Sequence, residues 1–115
     1  MSSSKKDMPM KRYDVFISEK ACDDMESIYD YISEILLSPE SATDQYDRIA
    51  DAILSLEEMP ERIKVMDSEP EHSKDFRPLI VDHYTVVFII KNNTVNVIRV
   101  LYSASDISKR LSEAR

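Results

Sequence analysis

The chain has 115 residues, no glycine, one cysteine and a formal net charge of −7. Average usage of about 7% would supply roughly eight glycines; without them a Walker loop, a G-x-G-x-x-G dinucleotide turn and a G-x-S-x-G nucleophile elbow are excluded, because each needs backbone at positive φ or pressed against a ligand. Cys22 alone allows no internal disulfide and no cysteine-based zinc cluster, and His72 and His83 lack metal-ligand spacing, so neither a metal nor a cofactor is expected.

Residues 1–11 are polar and aperiodic and read as a disordered arm, with a basic arm that grips nucleic acid as the sharper alternative. Residues 12–115 then read as one domain. Tyr13 to Ile17 predicts a short strand, rich in β-branched and aromatic residues. Ser18 caps a helix of about five turns whose apolar stripe is Ala21, Cys22, Met25, Ile28, Tyr29, Ile32, Ile35 and Leu36, with Asp23, Asp24, Glu26, Asp30 and Glu34 toward solvent. On that stripe Cys22 reads as core rather than nucleophile. Ser38-Pro39-Glu40 stops the first helix and starts a second, with serine as N-cap and proline in the first turn. The second stripe, Ala42, Tyr46, Ile49, Ile53 and Leu56, runs toward Pro60. So short a connection folds the two helices back as an antiparallel hairpin, and their stripes need the apolar face of a sheet.

That sheet follows a polar, irregular stretch from Met66 to Asp75. Phe76 to Val81 predicts a strand in which Pro78, without an amide hydrogen, favours an edge. Asp82-His83 turns the chain into Tyr84 to Ile90, apolar on both faces as a central strand is. Asn92-Asn93 makes the next turn, and Thr94 to Tyr102 is the last strand. Strict alternation puts Val95 and Val97 on one face with Arg99 next in line, and Asn96, Ile98 and Val100 on the other. A terminal helix is predicted with Asp106 as cap and Ile107, Leu111 and Ala114 aligned. The fold class is therefore α+β, two-layered: N-terminal strand, helical hairpin, three-stranded antiparallel meander and short C-terminal helix.

Charge divides unevenly along this order, with +2 in residues 1–17, −10 in residues 18–62 and +1 in residues 63–115. The acidic middle reads as solvated helix faces, with docking of a basic partner as the alternative, and any contact with nucleic acid or the ribosome falls on the last half. No apolar run approaches the ~18 residues of a membrane span, and no secretion signal is legible, so a cytoplasmic protein without a membrane partner is expected.

Several segments together resemble the RelE/ParE toxin superfamily. They are Ser18-x-x-Ala21 after the first strand, Ile28-x-x-Tyr31-Ile32 on the first helix, Pro60-x-Arg62 after the second, and Phe76-Arg77-Pro78-Leu79-x-Val81-x-x-Tyr84-x-Val86-x-Phe88 in the meander. Val97-Ile98-Arg99-Val100-Leu101-Tyr102-x-x-x-Asp106 is similar to that superfamily's last strand and the segment behind it. The resemblance implies the toxin of a bacterial type II toxin–antitoxin pair, linked with plasmid stabilization, that inhibits growth when free of its cognate antitoxin. ParE-like members act by binding DNA gyrase. RelE-like members are ribosome-dependent messenger RNA endoribonucleases, which makes the translating ribosome with its message the alternative target; a non-toxic relative that only binds its partner is the third reading. A homodimer is left open.

The residues favour the ParE-like reading. Thr85 follows Tyr84 where RelE-like nucleases typically carry arginine, and Ser103-Ala104-Ser105 stands where more basic residues usually lie. Loss of one donor from a site that stabilises transition-state charge typically costs 10²–10³ in rate, so two losses argue against cleavage unless Lys64, Lys74 or Arg110 substitutes. For a nuclease, the resemblance makes Arg77, Arg99, Tyr84 and Tyr102 the catalytic candidates. For a binding protein, Arg77, Arg99, Lys64 and Arg110 are the partner-binding candidates. Each has a plainer reading. Arg77 could be solvated near a sheet edge, Tyr84 and Tyr102 could be core, and His83 an exposed turn residue rather than a general base. Arg99, in an apolar strand, needs an acceptor: an acid of this chain, as from the helical hairpin, or a group on a partner.

Overall fold

The computed structural model describes residues 12–105 and 107–113. The arm of residues 1–11, the Asp106 cap and Ala114 lie outside them. Strand β1 (Asp14–Ile17) runs into helix α1 (Glu19–Asp30), which continues as a π-helical turn over Tyr31–Ile35. Helix α2 (Pro39–Leu54) follows, then two short 3-10 turns at Ser55–Glu57 and Pro60–Arg62. Strands β2 (Arg77–Val81), β3 (Tyr84–Lys91) and β4 (Thr94–Tyr102) form the meander, and helix α3 (Ile107–Glu113) closes the described chain.

Ser18 caps α1 as its sequence position predicts. Its Oγ accepts from the Ala21 amide at 3.0 Å and donates to the Ile98 carbonyl at 3.1 Å, which ties the start of the helix to β4. The buried stripe is narrower than the expected one: Ala21, Met25 and Ile32 are buried, while Cys22 is exposed, one helical position (about 100°) around from Ala21. The expectation that Cys22 is core is corrected by that angle. The π-turn then slips the helical phase, so Ile35 and Leu36 leave the expected stripe and stand exposed, as does Tyr31 at its start. Leu37 reverses the chain at φ 54°. Ser38 occupies the N-cap of α2, but its hydroxyl donates to Ser41 Oγ at 2.7 Å and caps no backbone amide. On α2, Ala42, Ile49 and Ile53 are buried with Leu56 beyond its end. Tyr46, expected on that stripe, is exposed and meets Tyr29 edge-on across the hairpin, with ring centroids 6.2 Å apart.

The sheet order is β1-β4-β3-β2, with β1 parallel to β4 and the other neighbours antiparallel. Pro78 therefore lies on an edge strand, where the missing amide hydrogen is tolerated. Both meander turns use a residue that accepts the left-handed region: Asp82 at φ 56° and Asn92 at φ 59°.

One irregularity in β4 changes which side chains face the helices. Val87 pairs with Arg99, but Phe88 pairs with Val97, so Ile98 is an extra residue bulged out of the ladder. Val95, Val97 and Val100 consequently all join the helix-side core with Met25, Ile49, Ile53, Leu56, Val86 and Phe88. The expected placement of Val100 opposite Val95 is thus corrected by the bulge. Leu101 and Ile98 turn to the other face, where Val87, Phe76 and Met66 pack with Ile107 and Leu111 of α3.

Candidate functional site

Where the connected end of the helical hairpin lies over the ends of β3 and β4, the two layers enclose a groove of about 680 Å³. Its helical wall is Asp24, Ser27, Ile28, Tyr31, Ile32 and Leu36 of the first helix, with Ser41 and Gln45 of α2. The sheet wall comes from His83, Tyr84, Val100 and Tyr102, and Arg110 of α3 stands at the rim. Tyr84 and Tyr102 are directly paired across the strands, with ring centroids 5.8 Å apart and planes at 60°. Tyr102 is 52% exposed, so the core reading of that residue is corrected: its ring forms part of the groove surface.

Arg99 has the acceptor that its position in an apolar strand requires, and the acceptor comes from the hairpin. Its Nε donates to Asp24 Oδ2 at 2.7 Å and its Nη2 to Asp24 Oδ1 at 2.8 Å, a bidentate pair in which both side chains are nearly enclosed. Asp24 Oδ2 also accepts the Val100 amide at 2.9 Å, just past the bulge, and Arg99 Nη1 reaches the Arg110 carbonyl at 3.4 Å. One carboxylate thereby joins α1, β4 and, through the guanidinium, α3. Asp24 was expected in the solvent-facing acidic row with Asp23; the structure encloses most of its side chain, and the lone arginine in the apolar strand is the sequence signal that such an acid exists.

A second contact closes the hairpin onto the sheet at the Asp82–His83 turn. Arg48 Nε and Nη2 donate to the Asp82 carboxylate at 2.9 and 2.8 Å, and Gln45 Nε2 donates to the same group at 3.1 Å. Donation by Arg48, then by Gln45, holds the Asp82 carboxyl down to about 2. The Arg48 guanidinium is raised by the same hydrogen bond and the facing charge of Asp82. His83, beside this turn, is exposed.

Tyr84 is not poised as a base. Burial, then the neighbouring Tyr102 and Tyr31 hydroxyls, push the Tyr84 phenol above its ordinary value. At neutral pH it keeps its proton and presents its ring to the groove.

Arg77 and Lys64 lie elsewhere. Arg77 pairs with Phe88 while Tyr84 pairs with Val81, which puts Arg77 four residues, about 13 Å, down the sheet from the groove end. Its Nη1 donates to the Ile63 carbonyl at 2.6 Å and the Glu61 carbonyl at 3.4 Å, so it is half-buried and fastens the segment after α2, with Lys64 exposed next to Ile63. The six candidate residues thus separate: Tyr84, Tyr102 and Arg110 line the groove, Arg99 sits behind its Asp24 wall, and Arg77 and Lys64 form a separate patch. Ser27, Ile28, Tyr31, Leu36, Ser41 and Gln45 were not singled out as site residues in the sequence, because apolar and small polar helix residues carry no chemical signature.

Among the described residues, no group of three or more His, Cys, Asp or Glu side chains could hold a metal ion, and no helix is long and apolar enough to cross a membrane.

This order of strand, helical hairpin and meander is the fold of the toxin–antitoxin toxins. The chain is similar to a solved structure described as the chromosomal ParDE toxin–antitoxin system from P. aeruginosa, at a TM-score of 0.67 and 21% identity over 80% of this chain and 97% of that one. It is also similar to the toxin–antitoxin complex RelBE2 from Mycobacterium tuberculosis, at a TM-score of 0.54 and 19% identity over 84% of this chain and 97% of that one. No curated protein matches in sequence. The family model for the ParE toxin of the type II toxin–antitoxin system parDE matches residues 15–107, and the chain belongs to that family.

Proposed function

We propose that the protein is a growth-inhibiting toxin that acts by binding DNA gyrase and performs no covalent chemistry of its own, held inactive by a cognate antitoxin. The observation that carries this reading is the Asp24–Arg99 pair. A ribonuclease of this fold needs uncommitted cations and a titrating group around the scissile phosphate. Here Arg99 is bound to an acid of its own chain, Arg77 donates to backbone carbonyls, and the Tyr84 phenol is shifted away from neutral pH. The groove offers binding chemistry instead. Tyr31, Leu36 and Tyr102 present exposed apolar surface around it, and Arg110 adds one cation at the rim, the combination of aromatic anchors and arginine that dominates protein interfaces.

The test is growth arrest on induced expression, relief by co-expression of the neighbouring small gene, and loss of supercoiling by purified gyrase in the presence of the purified protein. Unchanged supercoiling at high protein concentration removes the gyrase claim. Breaks in messages on translating ribosomes, abolished by Arg77→Ala or Arg99→Ala, would establish the RelE-like activity in its place, and harmless expression without the antitoxin would mark a non-toxic relative.

A further inference from the structure

The tip of the helical hairpin is the part of the surface that folding explains least. Tyr31, Ile35, Leu36 and Leu37 are 52%, 65%, 56% and 80% exposed, so one short segment holds four of the large apolar side chains left on the described surface. The Leu36 amide donates to the Tyr31 carbonyl and the Ser38 amide to the Ile32 carbonyl, both at 3.1 Å, which winds the segment into a compact turn and gathers these side chains. Leu37 adds a cost: asparagine tolerates its φ of 54° better than leucine does, and its side chain recovers little by burial. A contiguous exposed apolar patch of this kind marks an interaction site.

The acidic hairpin defines what fits that patch. From Ala21 to Asp47 the chain has eight carboxylates and no lysine, arginine or histidine. Asp24 is bound to Arg99, and the other seven are exposed. Glu26, Asp30 and Glu34 follow the first helix at intervals of four, and Glu40, Asp44 and Asp47 share a face of α2, so an acidic row leads to the tip on each helix. Arg48, where basic residues resume, is held by Asp82. A second copy of the chain would set these rows against their like, and nucleic acid or an anionic membrane would be repelled as well. A narrow apolar patch with acid on both sides matches the narrow apolar stripe and flanking cations of a basic amphipathic helix.

We propose that the hairpin tip docks a basic amphipathic helix of a partner protein, its apolar stripe on Tyr31, Ile35, Leu36 and Leu37 and its lysines or arginines along the two acidic rows. The tip keeps this chemistry whichever target the toxin inhibits. Leu37 separates docking from packing, because asparagine at that position suits the turn and removes the apolar contact.

The experiment is titration calorimetry of the full chain with a helix-forming peptide of leucine and lysine at amphipathic spacing, beside one with glutamate for lysine and one with serine for leucine. The leucine–lysine peptide should bind, and each counterpart should bind about tenfold more weakly or not at all. Leu37→Asn should cost the leucine–lysine peptide about tenfold in affinity and leave the urea denaturation midpoint unchanged or raised. Glu34→Lys combined with Glu40→Lys should cost about fivefold near 0.1 M salt and less at about 1 M, where the Debye length is about 3 Å. Leu54→Ser, at a side chain as exposed as Leu36 but about 22 Å from the start of α2, should change nothing. Equal binding of the leucine–glutamate peptide, or an equal loss on Leu54→Ser, would overturn the proposal. So would a midpoint that falls in step with binding in Leu37→Asn, which makes the tip a packing element, or wild-type self-association that Leu37→Asn abolishes, which gives the face to a second copy. A wild-type protein that binds the leucine–lysine peptide through the tip and spares gyrase would sink the gyrase reading and leave the chemistry of the tip in place.

Discussion

The helical hairpin is fastened to the sheet by two bidentate arginine–carboxylate contacts of nearly equal length, Arg99 with Asp24 and Arg48 with Asp82, set in opposite surroundings. In the first, both side chains are close to fully enclosed; in the second, the arginine side chain is 64% exposed. Water screens the exposed contact and competes for its donors, so it adds little to stability. The enclosed pair is different. Its attraction must offset the removal of two charges from water, and removal of one partner strips a buried charge of its bidentate contact. Equal geometry therefore gives unequal consequences, and the contact beside the groove is the one on which the fold depends.

The strongest way to break this comparison is truncation of each carboxylate in turn. Asp24→Ala should lower the unfolding free energy by about 3–5 kcal/mol, the usual cost of breaking a buried ion pair from one side, measured by urea denaturation. A loss as small as that of Asp82→Ala would show that Arg99 finds water and that the enclosure has no energetic meaning. On the same groove, Leu36→Ala and Tyr102→Ala remove exposed side chains and should leave the denaturation midpoint nearly unchanged. Under the gyrase reading each should weaken inhibition by about 2 kcal/mol, roughly 30-fold, as interface hot spots do. Parallel losses of stability and inhibition would instead make them packing residues. Ser18→Ala, at the cap that links α1 to β4, should cost about 1 kcal/mol in the same denaturation measurement.

The smallest effect is the pH dependence of the exposed contact. The Asp82 carboxyl is depressed from its ordinary value of 3.8 to about 2 in the folded state, so the stability it adds is present above about pH 4 and is lost as pH falls toward 2. Arg48→Ala should shrink that feature to the part that Gln45 sustains, while barely moving the midpoint at neutral pH. A neutral-pH change comparable to that of Asp24→Ala would erase the distinction between the two contacts.

The element order was legible from the sequence because each element carries its own period: 3.6 on the hairpin, two on the meander, with turn residues between. What escaped was phase. A strict alternation cannot register the extra Ile98, which returns Val100 to the helix side, and a strict helical stripe cannot register the π-turn that turns Ile35 and Leu36 outward. At the groove, Arg99 announced that an acid must face it, since a charged group in an apolar strand demands a partner. That the partner is Asp24, rather than Asp23 beside it, depends on helix rotation over the bulge and is settled only in three dimensions. Arg77 illustrates the reverse case: its residue type suggested a ligand, whereas its position lets it satisfy carbonyls of the irregular segment after α2.

The absence of glycine acquires another meaning beside the five residues that, among the described ones, take left-handed backbone without it: Leu37, Met59, Asp75, Asp82 and Asn92. Outside Asn and Asp that conformation costs roughly 1–2 kcal/mol, so Leu37 and Met59, both with exposed side chains, carry most of the penalty. The same chain unfolds into an ensemble with fewer backbone states than a glycine-containing one, and each glycine replaced at a compatible site is worth about 0.4–1 kcal/mol through that ensemble alone. Part of this protein's stability thus resides in the stiffness of its unfolded chain, where no contact in the folded structure records it.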